Sequence, residues 1–391
     1  MFPPSLSTLI DSKKKRALIQ RLLNIPGDLV AGPPIRDVLG IAKQAQSLYD
    51  LLGGKFGYDT SELSEDFAAV GWDWRLSIAD PAVTNAIAAA VGRLGGGIVA
   101  IIHSTGGLVF RAFLEARPDL IPQFEQVLAF GVPWRGTLEA LHAITVGESA
   151  GFLFAKITAA EGAQIVSHAQ AAYDLLPSEF LADLSWTTDD SMRQLAATAH
   201  PPFPLNFDAL PVTNVCGWGI NTWTSQTWEQ SNDAGDGTVP VSSSSSIGGA
   251  SVRTFFLPIG AYATANIPYS HPRIWDSPPV LQLFEEVLND APRSPFLCAA
   301  ADGDDYINYD SDVDVRFAAM SPNGGALAGC KVSVDIDGLK TDVPLSSDGR
   351  GAFTLKRLGI EHNVGSDIYR FTVTFRWSGG SATRAVLIRS V

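Results

Sequence analysis

The sequence predicts an α/β domain followed by a smaller all-β domain. Over residues 1–292, helical patterns alternate with short apolar runs that are typical of buried parallel strands. From residue 296 onwards, apolar and polar residues alternate in stretches separated by Gly, Asn, Asp and Ser turns, which is typical of an antiparallel sandwich. The chain of 391 residues exceeds the roughly 100–200 residues of a typical single domain. We therefore place the two domains at 1–292 and 296–391.

The composition argues against a nucleic-acid-binding protein. Hydrophobic residues make up 46% of the chain and charged residues 18%, which is typical of a globular protein with a substantial core. The net charge of −13 repels nucleic acid and gives no general attraction to anionic membranes. We therefore expect no nucleic-acid partner and at most transient contact with a membrane surface.

Cysteine usage and the N-terminal pattern predict the compartment. The three cysteines, Cys216, Cys298 and Cys330, are widely spaced and form no metal-ligand pattern. The segment 1–16 contains no apolar core of the signal-peptide type, and no apolar run reaches the roughly 18 residues that span a bilayer. We expect a soluble, cytoplasmic protein that has no disulfide framework, no metal and no organic cofactor.

The elements of the first domain follow from local patterns. Asp80 and Pro81 form a helix start, and the glycines at 95–97 form a helix stop. The apolar run Ile98–Ile102 has the length of a buried strand. In chain order, the patterns predict helices over 13–23, 35–52 and 80–97, a strand over 98–102, a helix over 106–117, strands over 126–132, 210–219 and 251–260, and a helix over 278–290.

Residues 138–210 form a long insertion between predicted core strands. The segment is mostly helical in pattern and contains several aromatic and apolar residues. An insertion of this length can form a cap over a site, or it can be a peripheral helical subdomain. The sequence leaves both interpretations open.

The second domain is predicted from stretches of period-two alternation, and it offers no chemistry of its own. These stretches are VDVRF, KVSVDI, GAFTL, YRFTVTF and TRAVLI. We therefore consider docking of a protein partner as a function of this domain.

The stretch AIIHSTGGLVF, residues 100–110, is typical of a nucleophile elbow. In such an elbow a strand ends at a nucleophile on a sharp turn, and small residues nearby let the next helix pack closely. Ser104 is the candidate nucleophile, Gly106 is the small residue after it, and the Thr105 backbone is the candidate donor to an oxyanion. The alternative is that Ser104 caps an ordinary helix. Ile102 stands where a small residue is expected, and we expect its branched side chain to open the turn.

Two further residues give Ser104 the partners of a catalytic triad. In α/β-hydrolases the order along the chain is Ser, then Asp or Glu, then His. Asp236 follows the strand predicted over 210–219, and His271 follows the strand predicted over 251–260. Each therefore lies at the strand end where such sites assemble. We assign Ser104 as the nucleophile, His271 as the general base and acid, and Asp236 as the carboxylate that orients His271.

The other histidines have weaker cases. His103 directly precedes the candidate nucleophile, so we expect its side chain to point elsewhere. His142, His168 and His200 lie in the helical insertion and His362 lies in the second domain, where surface or packing roles are the default.

Several ordered motifs resemble the lecithin:cholesterol acyltransferase family of α/β-hydrolases. The elbow segment 103–114 resembles the family's His-Ser-x-Gly-Gly-Leu-Val-x-Arg stretch, and GWDWRLS at 71–77 resembles its Tyr-Asp-Trp-Arg motif. Further family segments are matched, in order, by FGVPWRGTLEAL at 130–141, YDLLPS at 173–178, GDGTVP at 235–240 and His271. The resemblance covers residues 1–290, and the ordered set is more specific than any single motif.

The resemblance implies an α/β-hydrolase fold with a helical cap over 138–210 and a lipid-type acyl-ester substrate. Trp72 and Trp134, which lie in two of the motifs, are the candidate substrate-binding side chains, and for Trp72 core packing is the alternative.

Family members begin with an apolar strand and a Pro-Gly loop that supplies the second oxyanion donor. Here MFPPSL at 1–6 resembles a later segment, so we expect that strand and loop to be missing. The Pro-Gly pair within 24–32 follows a helical pattern, and we do not assign the donor there.

Two functional hypotheses follow. The first is a serine hydrolase or O-acyltransferase, of esterase, lipase or phospholipase type, that forms an acyl-enzyme on Ser104. The second is an α/β-hydrolase-fold module with weak or no catalysis, which binds a protein partner through its β domain. The sequence leaves the substrate head group, and the choice between hydrolysis and acyl transfer, open.

Overall fold

A computed structural model describes most of the chain. The described ranges are 12–25, 45–61, 64–147, 150–152, 155–201, 209–224, 230–259, 271–301, 312–336, 339–355 and 368–389. The expectations about the opening segment 1–6 and the Pro-Gly pair at 26–27 lie outside these ranges, as does His362.

The chain forms an α/β part and then a part made of β-strands. In chain order the first part contains α1 Ser12–Leu23, α2 Gln46–Phe56, α3 Pro81–Leu94, β1 Ile98–His103, α4 Thr105–Ala116, β2 Phe124–Phe130, α5 Leu138–Thr145, β3 Ala150–Phe152, β4 Ala155–Ile157, α6 Ala159–Val166, α7 Gln170–Asp174, α8 Ser178–Ala182, α9 Asp190–Ala197, β5 Val212–Trp218, β6 Ile220–Trp223, β7 Gln230–Gly235, α10 Val241–Ser244, β8 Val252–Pro258 and α11 Pro278–Leu288. Short 3₁₀ helices cover Pro118–Gln123, Leu184–Trp186 and His271–Asp276. The second part contains β9 Phe296–Ala301, β10 Val313–Met320, β11 Lys331–Ile336, β12 Leu339–Val343, β13 Arg350–Leu355, β14 Ile368–Trp377 and β15 Gly380–Arg389.

Strands β1, β2, β5 and β8 form one parallel sheet in that order. Each overlaps one of the four predicted core strands, so the α/β architecture is confirmed. Because the strands run in the same direction, their carboxyl ends meet at one edge of the sheet. His103, Phe130 and Trp218 end β1, β2 and β5 at that edge.

The predicted helix at 80–97 is observed as α3 and shows both of its expected ends. The Asp80 carboxylate accepts a hydrogen bond of 2.8 Å from the Ala82 amide, and Pro81 follows it. Gly95 ends the helix with φ of 80°, a conformation that glycine adopts without strain. None of the helices in the described ranges combines the length and the hydropathy that a bilayer crossing requires.

The segment between β2 and β5 is a helical insertion that contains α5 to α9. It has an apolar cluster of its own, built from buried side chains such as Leu141, Ile144, Tyr173 and Phe180. The short antiparallel hairpin β3–β4 also lies in this insertion and was not predicted.

The second part consists of two antiparallel sheets, as predicted. Their orders are β13-β10-β9 and β12-β11-β14-β15. Both sheets contribute to one apolar cluster, which includes Val315 and Phe317 from the first sheet and Val334 and Phe375 from the second. Strands β9 and β12 did not stand out in the sequence because neither has a long alternating pattern.

The two parts share a core. One apolar cluster contains Trp218 and Phe255 from the parallel sheet together with Phe296 and Met320 from β9 and β10. The Phe255 and Phe296 rings lie 5.0 Å apart. The apolar interior of the first part therefore extends into the second part.

A buried ion pair lies at this junction. Arg253 Nη1 donates to Glu286 Oε2 at 2.9 Å, with the two side chains only 7% and 2% exposed. The same Nη1 donates to the carbonyl of Pro322 in the second part at 3.1 Å. The Ser294 amide donates to Glu286 Oε1 at 3.1 Å. The pair thus fixes the connecting segment to both parts.

We expect Glu286→Gln to lower the free energy of unfolding by about 3–5 kcal/mol, because it leaves the buried Arg253 charge without a carboxylate. The matched change Glu285→Gln removes an exposed ion pair with Lys55 (2.8 Å), and exposed pairs contribute about 0–1 kcal/mol. Urea unfolding of the two variants measures the difference, and equal effects would contradict the role of the buried pair.

Candidate active site

Ser104 lies in a strained turn between β1 and α4. Its backbone has φ of 52° and ψ of −134°, a region that costs a residue other than glycine about 1–3 kcal/mol. The Ser104 amide donates to the Phe130 carbonyl at 3.0 Å, and the Ser104 carbonyl accepts from the Gly107 amide at 2.9 Å. The side chain makes no capping hydrogen bond to α4, so the helix-cap alternative is wrong. The turn has the strained strand-to-helix geometry of a nucleophile elbow.

The expectation that Ile102 opens the turn is wrong. Its side chain is buried, 7% exposed, in the same apolar cluster as Leu108 and Val132. It therefore fills core space below the turn. The close approach occurs instead at Gly107, where a Cβ would lie 2.3 Å from Val132 Cγ1, whereas a Cβ on Gly106 would meet nothing within 4 Å.

Asp236 and His271 form a buried hydrogen-bonded pair. His271 Nδ1 lies 2.7 Å from Asp236 Oδ2, and the two side chains are 8% and 0% exposed. The other carboxylate oxygen accepts from the amides of Val239 (2.7 Å) and Thr238 (3.1 Å). Because a carboxylate only accepts, it places the imidazole proton on Nδ1 and leaves the Nε2 lone pair free to accept. Nε2 is buried, and no described residue hydrogen-bonds to it.

Gly131 brings this pair to the elbow. It directly follows Phe130, whose carbonyl accepts from the Ser104 amide. A Cβ on Gly131 would lie 2.9 Å from Asp236 Oδ2 and 3.0 Å from His271 Nδ1. The structure thus assembles Ser104, Asp236 and His271 around the end of β2.

His103 lies against His271, and the expectation that it points elsewhere is wrong. Their ring centroids are 4.7 Å apart, and His103 Nε2 lies 2.8 Å from the His271 carbonyl oxygen. The Trp275 ring contacts the His103 ring edge-on, also at 4.7 Å. Burial, and then the neighbouring His271, lower the pKa of His103 to about 3. His103 is therefore a neutral ring that donates to the backbone of His271, a contact that its position in the sequence did not reveal.

Thr105 is the first residue of α4, so its amide has no acceptor within the helix. This amide lies next to the candidate nucleophile, at the positive end of the helix dipole. The position suits a donor to an anionic oxygen. The segment considered for a second donor lies outside the described residues beyond Ile25.

The two candidate substrate-binding tryptophans pack into the protein. Trp134 is 0% exposed, and its Nε1 donates to Asn214 Oδ1 at 3.3 Å. Trp72 is partly buried against the apolar cluster that contains Ile102. Both rings therefore contribute to the packing of the α/β part.

Polar residues of two motifs hold the helical insertion against the α/β part. Asp174 is fully buried, and it accepts hydrogen bonds of 2.8 Å from both Ser77 Oγ and the Ile78 amide. Burial raises its pKa. Arg75 binds Asp73 at 2.6 Å and donates to backbone carbonyls at the end of α1. Asp174 and Arg75 therefore have structural roles, because their hydrogen bonds join separate segments of the chain.

A cavity of about 230 Å³ lies at the other end of the sheet. Its lining includes Val99 and Gln126, which are near the starts of β1 and β2. The strand ends that carry Ser104 and Gly131 do not line it, so this cavity is separate from the assembled residues.

Comparison with known proteins identifies the family of this chain. The sequence model of the family described as lecithin:cholesterol acyltransferase matches residues 42–245, more than half of the chain. No curated protein sequence gives a significant match.

The solved structures that are similar to this chain include two of one lipase. A crystal structure of Bacillus licheniformis lipase BlEst2 in its propeptide form is 14% identical, with a TM-score of 0.33, and the match covers 77% of this chain and 66% of that one, just under two thirds. The mature form is 15% identical, with a TM-score of 0.32, covering 60% of this chain and 86% of that one. Because these TM-scores are low, the assignment of the fold rests on the strand order and on the family match.

We expect Gly107→Ala to lower the free energy of unfolding by about 1–3 kcal/mol, because the added Cβ overlaps Val132. Gly106→Ala adds the same atom to open space on the same helix, where alanine is favoured over glycine by about 1 kcal/mol. Urea unfolding of both variants separates the two effects. A neutral Gly107→Ala would mean that α4 does not approach the sheet this closely.

The neutral state of His103 makes a prediction for acid stability. Its folded-state pKa of about 3 lies below the ordinary value of 6.5, so its contribution is present above the ordinary value and is lost as the pH falls towards the folded one. Relative to His103→Phe, wild-type stability should therefore fall more steeply between about pH 6 and 4, by up to about 1.4 kcal/mol per pH unit. Urea unfolding across this range measures both slopes. Equal slopes would show that His103 is protonated in the folded protein.

Proposed function

The chain belongs to the lecithin:cholesterol acyltransferase family of α/β-hydrolases, and from this premise we propose that it cleaves or transfers the acyl group of lipid esters. The proposal is supported by the strained turn of Ser104 and by Gly131, which follows the residue that holds the Ser104 amide and lies against the buried Asp236–His271 pair. The strain costs stability and supplies no packing, so it is best explained by catalysis.

In the proposed mechanism, Ser104 Oγ attacks the ester carbonyl and His271 Nε2 takes the serine proton. The Thr105 amide stabilises the oxyanion that forms. The imidazolium then gives its proton to the departing alcohol, which leaves an acyl group on Ser104. Water or an acceptor alcohol, deprotonated by His271, then attacks the acyl-enzyme carbonyl, and the imidazolium returns this proton to Ser104 Oγ as the bond between the acyl group and Ser104 breaks. Asp236 keeps the proton on Nδ1 and stabilises the imidazolium throughout.

We further propose that the helical insertion is a cap over this site. Thr137, the residue before α5, donates from Oγ1 to the Thr238 carbonyl at 2.5 Å. Thr238 lies two residues after Asp236 and itself donates to the carboxylate. At the far end of α5, the His142 ring stacks on Trp223 of β6, with centroids 5.6 Å apart. The insertion therefore begins against the loop that carries the acid.

The alternative of a non-catalytic binding module has less support. A vestigial site has no need for a serine in a conformation that a glycine would adopt without cost. The β part, which that hypothesis uses for a partner, directs one of its faces to the α/β part.

The purified chain should release fatty acid from phosphatidylcholine vesicles and from a short-chain p-nitrophenyl ester. Ser104→Ala should remove at least about 10⁴-fold of this activity, and Asp236→Asn should lower kcat by a similar factor through the wrong imidazole tautomer. Exposed Ser185 gives the control, because Ser185→Ala should retain full activity. Activity that survives Ser104→Ala, or a folded wild-type chain that releases no product, would overturn the proposed mechanism.

A stability measurement tests the same proposal without substrate. Ser104→Gly should raise the free energy of unfolding relative to Ser104→Ala, because glycine removes a backbone strain of about 1–3 kcal/mol. Equal stability of the two variants would mean that the turn is relaxed.

A further inference from the structure

Asp236 and the residue after it pack against residues 217–222, here called the support segment. A Cβ on Gly217 would lie 2.7 Å from the Cβ of Asp236. Ile220 pairs with Asp236 in a backbone bridge, and the Gly237 amide donates to Thr222 Oγ1 at 3.0 Å. The place of the Asp236 carboxylate is therefore set by the place of the support segment.

Arg350, on β13 of the second part, covers one side of the support segment. Its guanidinium carbon lies 5.3 Å from the centroid of the Trp218 ring and 4.7 Å from that of Phe256. A cation over an aromatic face at these distances is attracted by the ring. Asp348 accepts from Arg350 Nε at 2.8 Å and from Nη2 at 2.7 Å. Asp348 thus holds the guanidinium in its position over the Trp218 ring.

Arg316, on β10, covers the next residue of the support segment. Its side chain is 2% exposed, and its Cδ lies 2.9 Å from where a Cβ on Gly219 would be. Gly219 has φ of 107°, a conformation open to glycine. The chain therefore turns from β5 into β6 directly against the stem of Arg316.

The sheet that carries both arginines is fixed rigidly to the α/β part. Besides the Phe255–Phe296 contact, the Phe256 amide lies 3.0 Å from Met320 Sδ. A Cβ on Gly324 would lie 2.9 Å from the Thr254 backbone nitrogen, so the two backbones touch. A rigid sheet can hold what its side chains contact in one position.

We propose that Arg316 and Arg350 are positioning residues of the active site, which hold the support segment and through it keep Asp236 in register with His271. The proposal rests on the catalytic role of Asp236 proposed above. It gives the β part a function within the enzyme, as a clamp on the loop that carries the acid, in place of docking an external partner.

The test uses the full chain with Arg350→Met, which keeps most of the stem and removes the guanidinium over Trp218, or with Arg316→Ala, which also removes the stem that lies against Gly219. Hydrogen exchange followed by mass spectrometry should show peptides from 217–240 exchanging about tenfold faster than in wild type, while peptides from 98–130 remain unchanged. On the short-chain ester, kcat should fall about 10–100-fold while KM changes little, because misplacing a reacting group by about 1 Å costs up to about 100-fold.

Two further variants serve as controls. Arg376→Met removes an exposed arginine of β14 that contacts Ser333 within the β part, and it should leave both measurements at wild-type values. Arg350→Lys keeps a cation over the two rings but loses the planar fork that binds Asp348, so it should recover only part of the lost kcat.

Wild-type exchange and wild-type kcat in both Arg316→Ala and Arg350→Met would overturn the proposal. So would faster exchange spread equally over 98–130, which would show that the arginines only stabilise the whole fold. If the wild-type chain turns over no ester, the proposed function fails, and the exchange comparison still decides whether the arginines hold the acid loop.

Discussion

The arrangement of the site depends on the absence of a side chain at Gly131. The Asp236–His271 pair occupies the space that a Cβ would fill there, at 2.9–3.0 Å. The preceding residue, Phe130, holds the Ser104 amide through its carbonyl. One backbone position at the end of β2 therefore brings Asp236 and His271 close to the strained turn at Ser104. Any larger residue would have to displace a buried, fully hydrogen-bonded carboxylate, which is costly in a protein interior.

The strain at Ser104 persists because its surroundings fix the turn from both sides. On one side, β1 pairs with β2 up to His103, so the strand cannot rotate. On the other side, Gly107 lets α4 pack against Val132 so closely that the helix cannot move towards the sheet. Ile102 contributes by packing rather than by being small. In other nucleophile elbows, a small residue two positions before the nucleophile permits this close approach. Here Gly107, the second glycine after Ser104, permits it instead.

The β part shares an apolar core with the α/β part, and polar contacts also cross the junction between them. The Arg253–Glu286 pair joins β8 to α11 and reaches the carbonyl of Pro322. Arg316 and Arg350 bear on the residues that follow β5. A junction that combines apolar burial with buried, directional polar contacts fixes one relative position of its two sides. This makes the second part a structural extension of the site.

Local pattern determined the elements and their order. Apolar runs marked the four parallel strands, Asp80 and Gly95 marked the ends of α3, and each of Ser104, Asp236 and His271 follows a core strand or the hairpin after one. Because the carboxyl ends of parallel strands meet at one edge, sequence order alone could place these three residues together.

The tertiary structure decided which neighbours each residue meets. Sequence could not show that His103 packs on His271, that Trp134 is enclosed beside Asn214, or that the crowded glycine is Gly107 rather than Gly106. It also could not show that β10 and β13 face the support segment. The periodicity of a segment specifies which of its faces is buried, whereas the identity of the partner depends on contacts between residues far apart in the chain, which no local pattern encodes.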